Sequence, residues 1–181
     1  MKNRYAAACL AAAFFCAPGV MHSGSGSRLD GHWNILVNKS ANIDPWVGLM
    51  IDITTDGNRL TIVKRYNGGH PHDRRVDSIS VTPGKTEVVT VPPGRWLGEV
   101  SMALYYGPGA QRQVLARVSD PGNEIQVESR DTLETAQGRV PVDVQDTFTL
   151  SPDGVTMEWR QTRSTRLSGP PLVYSFARVT R

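Results

Sequence analysis

Apolar and polar side chains alternate along most of this chain with a period of two. The pattern is clearest from Trp46 to Tyr66, where Val47, Leu49, Ile51 and Ile53 alternate with Gly48, Met50, Asp52 and Thr54, as in a strand with one buried face. Asp56-Gly57 interrupts the run, and Leu60, Ile62 and Tyr66 resume it. Placing Asp56-Gly57 at the centre of a type I′ turn sets Ile53 opposite Leu60, Ile51 opposite Ile62 and Val47 opposite Tyr66. A slip of one residue would carry the whole Val/Leu/Ile set to the wet face, so turn and pattern select one hairpin.

The same style continues on both sides. Gly31-His32-Trp33 leads through Ile35 and Val37 into a first strand, which Asn38-Lys39-Ser40 and Asp44-Pro45 end. After a loop from Asn67 to Asp73, two β-rich runs, Arg75 to Val81 and Glu87 to Val91, flank the turn Thr82-Pro83-Gly84-Lys85. From Leu97 to Tyr106, Val100, Met102, Leu104 and Tyr106 share one face, and the flanking Gly94 and Gly107-Pro108-Gly109 favour a strand over a helix. Val114 to Val118, Ile125 to Ser129 and Val140 to Leu150 follow, with Asp120-Pro121-Gly122-Asn123 as a turn. Phe148 and Leu150 then enter Ser151-Pro152-Asp153-Gly154, and Val155, Met157 and Trp159 leave it. Gly169-Pro170-Pro171 introduces a last run from Leu172 to Val179.

These are about eight to ten strands joined by turns too short for crossover helices, so successive strands are expected to be antiparallel neighbours. The fold class is all-β, an antiparallel up-and-down barrel, because closure removes the two edges an open sheet would expose. A two-sheet sandwich is the alternative. No long amphipathic helix is visible, which argues against an α/β enzyme scaffold.

Composition changes this picture at the N-terminus. Residues 1–19 read as a signal peptide: Lys2 and Arg4, an apolar run from Tyr5 to Cys16, then Ala17-Pro18-Gly19. An uncleaved anchor or a lipoprotein is the alternative, but Cys16 follows Phe14-Phe15, where lipid modification wants small residues. Residues 20–28, with Ser-Gly-Ser-Gly-Ser at 23–27, are a flexible linker, and residues 29–181 form the barrel domain. Both cysteines, Cys9 and Cys16, lie in the leader, so the exported domain has no disulfide. Its roughly 160 residues can bury about two-thirds of their unfolded surface without one. Losing Lys2 and Arg4 takes two from the formal charge of +3, leaving +1 and no basic stripe for nucleic acid. A periplasmic or extracellular monomer with no later transmembrane segment is expected.

Gly31-x-Trp33 opening the first strand, Asn38-Lys39-Ser40 after it, the Leu150-Ser-Pro-Asp-Gly154 hairpin and a last strand ending in Arg178 resemble the small secreted lipocalin-like proteins of bacteria. The resemblance implies that Trp33 packs across the closed end of a barrel and that Arg178 lies over its ring. A closed barrel of this size either fills with side chains or keeps a cavity for a small apolar or amphipathic ligand, and Gly48, Ala103 and Ala116 are small residues at candidate inward positions. The segment from Thr165 to Pro171 is too short and too rich in glycine and proline for the helix that lipocalins carry before the last strand.

Candidate chemistry is sparse. Trp46, Tyr66, Trp96, Tyr106, Trp159, Tyr174 and Phe176 are candidates to wall a ligand cavity, with Tyr105 beside them, while aromatics in sheets are also ordinary core. Lys64, Arg65, Arg160, Arg163, Arg166 and Arg178 are candidates for a cationic mouth, or a solvated face. Asp52, Glu99 and Asp146 fall in strand-like runs, where interior carboxylates could serve as acid and base. His70, His72 and Asp73 have ligand chemistry for a metal but lack a further partner nearby. No nucleophile elbow, phosphate loop or cysteine–histidine pair is present, and nothing calls for a cofactor. The sequence favours a secreted binding protein; the rivals are a barrel-type isomerase, cyclase or hydrolase, and an envelope protein docking a partner through its outer face.

Overall fold

The computed structural model describes residues 26–70, 72–97, 103–166 and 170–180. The expected leader, residues 20–25 of the linker, Glu99, Val100, Met102 and Gly169 lie outside these. The described chain is almost entirely strand: β1 (Gly31–Ile35), a 3-10 turn at Val37–Lys39, β2 (Gly48–Asp56), β3 (Arg59–Asn67), β4 (Arg74–Val81), β5 (Thr86–Thr90), β6 (Gly94–Arg95), β7 (Tyr105–Tyr106), β8 (Gln111–Val118), β9 (Glu124–Thr135), β10 (Gly138–Leu150), β11 (Thr156–Arg163) and β12 (Leu172–Arg178). All twelve belong to one antiparallel sheet, more than the eight to ten expected because β6 and β7 are two-residue pieces. The sandwich alternative is thereby set aside.

The sheet curls until its ends nearly meet. Neighbours run β4-β3-β2-β1-β12-β11-β10-β9, and β9 continues to β8 and then β5. Pairing of β1 with β12, Trp33 against Arg178 and Ile35 against Phe176, joins the two ends of the chain. The remaining seam lies between β4 and β5, which a four-residue turn connects without ladder hydrogen bonds. Side chains bridge it: Arg112 on β8 reaches Asp77 on β4 at 2.8 Å, and Arg59 on β3 reaches Glu87 on β5 at 3.1 Å.

The first hairpin corrects the expected register. Asp56 pairs with Arg59, so Gly57-Asn58 forms the tip, with Gly57 at φ +57° where the first central residue of a II′ turn wants glycine. Partners shift by two residues, Ile53 to Ile62, Ile51 to Lys64 and Leu49 to Tyr66, and Val47 lies outside the strand and exposed. A shift of two preserves the buried face, which is why pattern alone did not detect it. In the closing hairpin Phe148 faces Trp159 and Leu150 faces Met157.

One end of the barrel is filled. Leu29, Trp33, Ile53, Leu60, Val81, Ile125, Met157 and Phe176 are essentially inaccessible there. The Trp33 indole donates to the Leu29 carbonyl at 2.9 Å, and the Arg178 guanidinium lies 4.2 Å over its ring. Arg178 also donates to the carbonyls of Arg28, Asp30 and Gly154, tying the entering chain to the closing hairpin. Gly31 has φ +144°, and a Cβ there would stand 2.7 Å from the Arg178 Nη1, so the first glycine of the Gly-x-Trp pair makes room for that arginine. Ser27, inside the Ser/Gly run, is buried and donates to the Gly122 carbonyl at 3.0 Å.

Candidate functional site

Toward the other end the inward positions turn polar. Strict alternation on β3 carries Leu60 and Ile62 inward and then Lys64 and Tyr66, while β4 places Asp77 directly opposite Lys64. On β8 the inward residue Arg112 faces Asp131 of β9, and β10 and β11 set Asp146 against Gln161. These side chains line a cavity of about 300 Å³ whose apolar walls include Ile62, Val127, Val144 and Phe148. The segment from Val91 to Leu97 and the exposed Arg75 and Arg95 form its rim.

Two ionic groups occupy the polar side. Lys64 Nζ donates to Asp146 Oδ2 at 2.7 Å and stands 4.4 Å over the Trp159 ring. Asp146 Oδ1 accepts from Trp159 Nε1 at 2.9 Å and Gln161 Nε2 at 2.8 Å, so three donors hold this one carboxylate. Across the cavity Arg112 donates through Nε to Asp131 Oδ1 and through Nη1 to Asp77 Oδ1, each at 2.8 Å, and through Nη2 to the Tyr106 hydroxyl at 2.5 Å. Burial pushes the Asp77 carboxyl up, but the charges of Arg112 and Lys64 and the Arg112 hydrogen bond outweigh it, and its pKa lies below the ordinary value. Burial and the Asp77 and Asp146 charges raise Tyr66 well above the usual phenol range. Tyr106 is raised too, chiefly by burial, with Arg112 opposing and Asp131 and Asp77 reinforcing.

The aromatic candidates divide among three places. Tyr66, Trp96 and Tyr106 line the cavity; Trp46, Tyr66, Trp159 and Tyr174 line a neighbouring hollow that shares Tyr66, Leu97 and Gln161 with it. Phe176 lines neither and is packed into the filled end. Trp159 stacks on Tyr174 at 4.7 Å between centroids and on Phe148 at 5.8 Å; Trp46 leans on Tyr66 at 5.5 Å. Tyr105 is exposed.

The six cationic candidates do not gather at one mouth. Lys64 is interior, and Arg163 and Arg166 line the neighbouring hollow. Arg160 pairs with Glu158 outside, Arg65 with Asp52 on the outer face, and Arg178 serves the filled end. Asp52 also binds His32 at 2.6 Å, leaving Asp146 as the interior carboxylate among the three proposed, with Glu99 outside the described residues. Among the described residues no three His, Cys, Asp or Glu side chains converge on a metal position, so the His70, His72 and Asp73 loop assembles no ligand set. Asp77, Arg112, Asp131 and Gln161 were missed. For two of them a signal is present: in Arg112-Val114-Ala116 and Ile125-Val127-Ser129-Asp131 a charged residue occupies the apolar register.

The molecule is thus a nearly closed antiparallel β-barrel with one filled end and an ionic cavity at the other. No family model matches the chain, and no curated protein does. Among solved structures it is similar to secretory abundant heat soluble protein 4 from Ramazzottius varieornatus, with a TM-score of 0.52 and 11% identity over 87% of this chain and 99% of that one. The likeness is one of fold. No helix among the described residues is long and apolar enough to cross a membrane.

Proposed function

We propose that this chain is a lipocalin-like binding protein, exported by its leader, that holds a small amphipathic molecule inside the barrel. The observation that carries the reading is the cavity of about 300 Å³, at the lower end of the range for small-molecule sites, with apolar walls and a few convergent polar groups. An apolar body would lie against Ile62, Val127 and Phe148, and a polar head would meet the ionic groups. The enzyme reading draws on the same convergence of titratable groups, but both oxygens of Asp146 are already engaged by three donors, and Asp77 is stabilised as a charge, which makes it a weak proton acceptor. Native mass spectrometry of gently purified protein, followed by solvent extraction, tests the binding reading. A stoichiometric organic adduct is expected; a bare mass, with no binding of a hydrophobic dye, would mean that the barrel carries nothing.

A further inference from the structure

We propose that the cavity selects a small amphipathic cation, a primary amine whose ammonium group points inward toward Asp77, Asp131 and the Tyr66 hydroxyl; this rests on the binding reading and adds the charge class of the ligand. In the interior of the cavity the carboxylates of Asp77, Asp131 and Asp146 face the cations of Lys64 and Arg112, an excess of one negative charge, while the exposed Arg75 and Arg95 stand in solvent at the rim. An uncompensated charge in a low-dielectric interior is costly. A bound monocation cancels it, whereas a bound carboxylate doubles it.

The acceptors available agree with the count. Arg112 engages only Oδ1 of Asp77 and of Asp131, and among the described residues neither Oδ2 accepts a hydrogen bond, although the Asp131 side chain is 1% exposed. Tyr66, 8% exposed, lines the same cavity and its hydroxyl has no hydrogen-bond partner among the described residues. An ammonium brings three donors and no acceptor, which suits this set. The Tyr66 ring supplies a face that attracts an organic cation, whereas Tyr106 and Trp96 already carry the Arg112 and Arg163 guanidinium groups at 5.6 and 5.9 Å. Burial is the chief cause of the raised phenols; the Asp77 charge adds to both shifts and Arg112 opposes both. The rim arginines Arg75 and Arg95 repel an ammonium held at the surface, so the amine leads and the apolar body trails.

Calorimetric titration of the 181-residue chain with phenethylamine, 2-phenylethanol and 3-phenylpropanoate separates the charge classes on one ring and nearly one length. The amine is expected to bind at least about tenfold tighter than the other two, a difference of about 1.4 kcal/mol. Asp77→Asn and Asp131→Asn should each erase that preference, bringing the affinity for the amine to that for the alcohol measured on the same variant. Asp131→Asn removes a partner of the buried Arg112, so its fold is checked by circular dichroism; if it fails, Asp77→Asn, at a side chain 20% exposed, carries the test. Carboxylate or alcohol binding as tight as the amine overturns the charge assignment and leaves a binding barrel. Failure of all three probes on a chain that carries a native adduct overturns it too, and failure on a chain with a bare mass removes both readings.

Discussion

A few side chains decide what each end of the barrel is. At the filled end, Trp33 is completely buried, its indole nitrogen satisfied and its face covered by Arg178. Trp33→Ala removes a large core side chain from a site held on several sides, and chemical denaturation should show a loss of about 3–5 kcal/mol. At the polar end the sign of a single carboxyl's shift gives a pH dependence. Asp77 has a folded pKa below its ordinary 3.8, so its contribution is complete above 3.8 and disappears as the pH falls through the lower folded value. Half-buried Glu87 and exposed Asp153 are shifted the same way, by a Thr82 backbone hydrogen bond and a Ser151 hydrogen bond respectively, so acid should destabilise the wild type in several small steps. Thermal melts from pH 6 down to pH 2 should therefore fall less steeply for Asp77→Asn than for wild type; parallel curves would show that Asp77 carries no such linkage.

Apart from the two-residue β6, only β4 and β5 among the described strands pair on one side. Cross-strand hydrogen bonds hold every long strand from β3 round to β8 on both edges, whereas the seam depends on Arg112 with Asp77 and Arg59 with Glu87. Hydrogen exchange should find the amides on the seam edges of β4 and β5 much faster than those of β2, β10 and β11, which sit between two partners. Equal protection on β4 and β2 would mean that the seam closes in solution. This feature was not legible in the sequence. Alternation located most strands, and Pro-Gly and Asp-Gly pairs located the turns, because both act within a few residues. Which of Asp56-Gly57 and Gly57-Asn58 forms the hairpin tip depends on pairing over the whole ladder, and both choices bury the same face. The ionic site was hidden for a different reason. Lys64, Arg112 and Asp131 look like surface residues one at a time, and the pattern shows only that each falls in phase with its buried neighbours; that they meet is a consequence of barrel closure, which brings β3 and β4 across from β8 to β11.

At the scale of the whole molecule, the question is whether the interior has room. A barrel of this size either fills with side chains or keeps space for one small ligand, and here the two outcomes divide along its length, solid around Trp33 and Phe176 and hollow beside Lys64 and Arg112. Val127 is the position from which to ask. It is 5% exposed, lines the cavity, and lies between Ala116 on β8 and Asp146 on β10, so its side chain is flanked by one small neighbour and by the polar group. Val127→Phe would extend a ring into the space that a ligand occupies. In a hollow barrel the ring is accommodated, stability changes by less than about 1.5 kcal/mol and the adduct seen by native mass spectrometry disappears, because ligand and ring compete for one volume. In a filled barrel the same ring must displace packed neighbours, at about 1–3 kcal/mol, with no adduct to lose. Measuring both quantities on one variant therefore distinguishes a binding barrel from a packed scaffold: loss of the adduct with stability retained requires a cavity, and loss of stability with no change in bound mass excludes one.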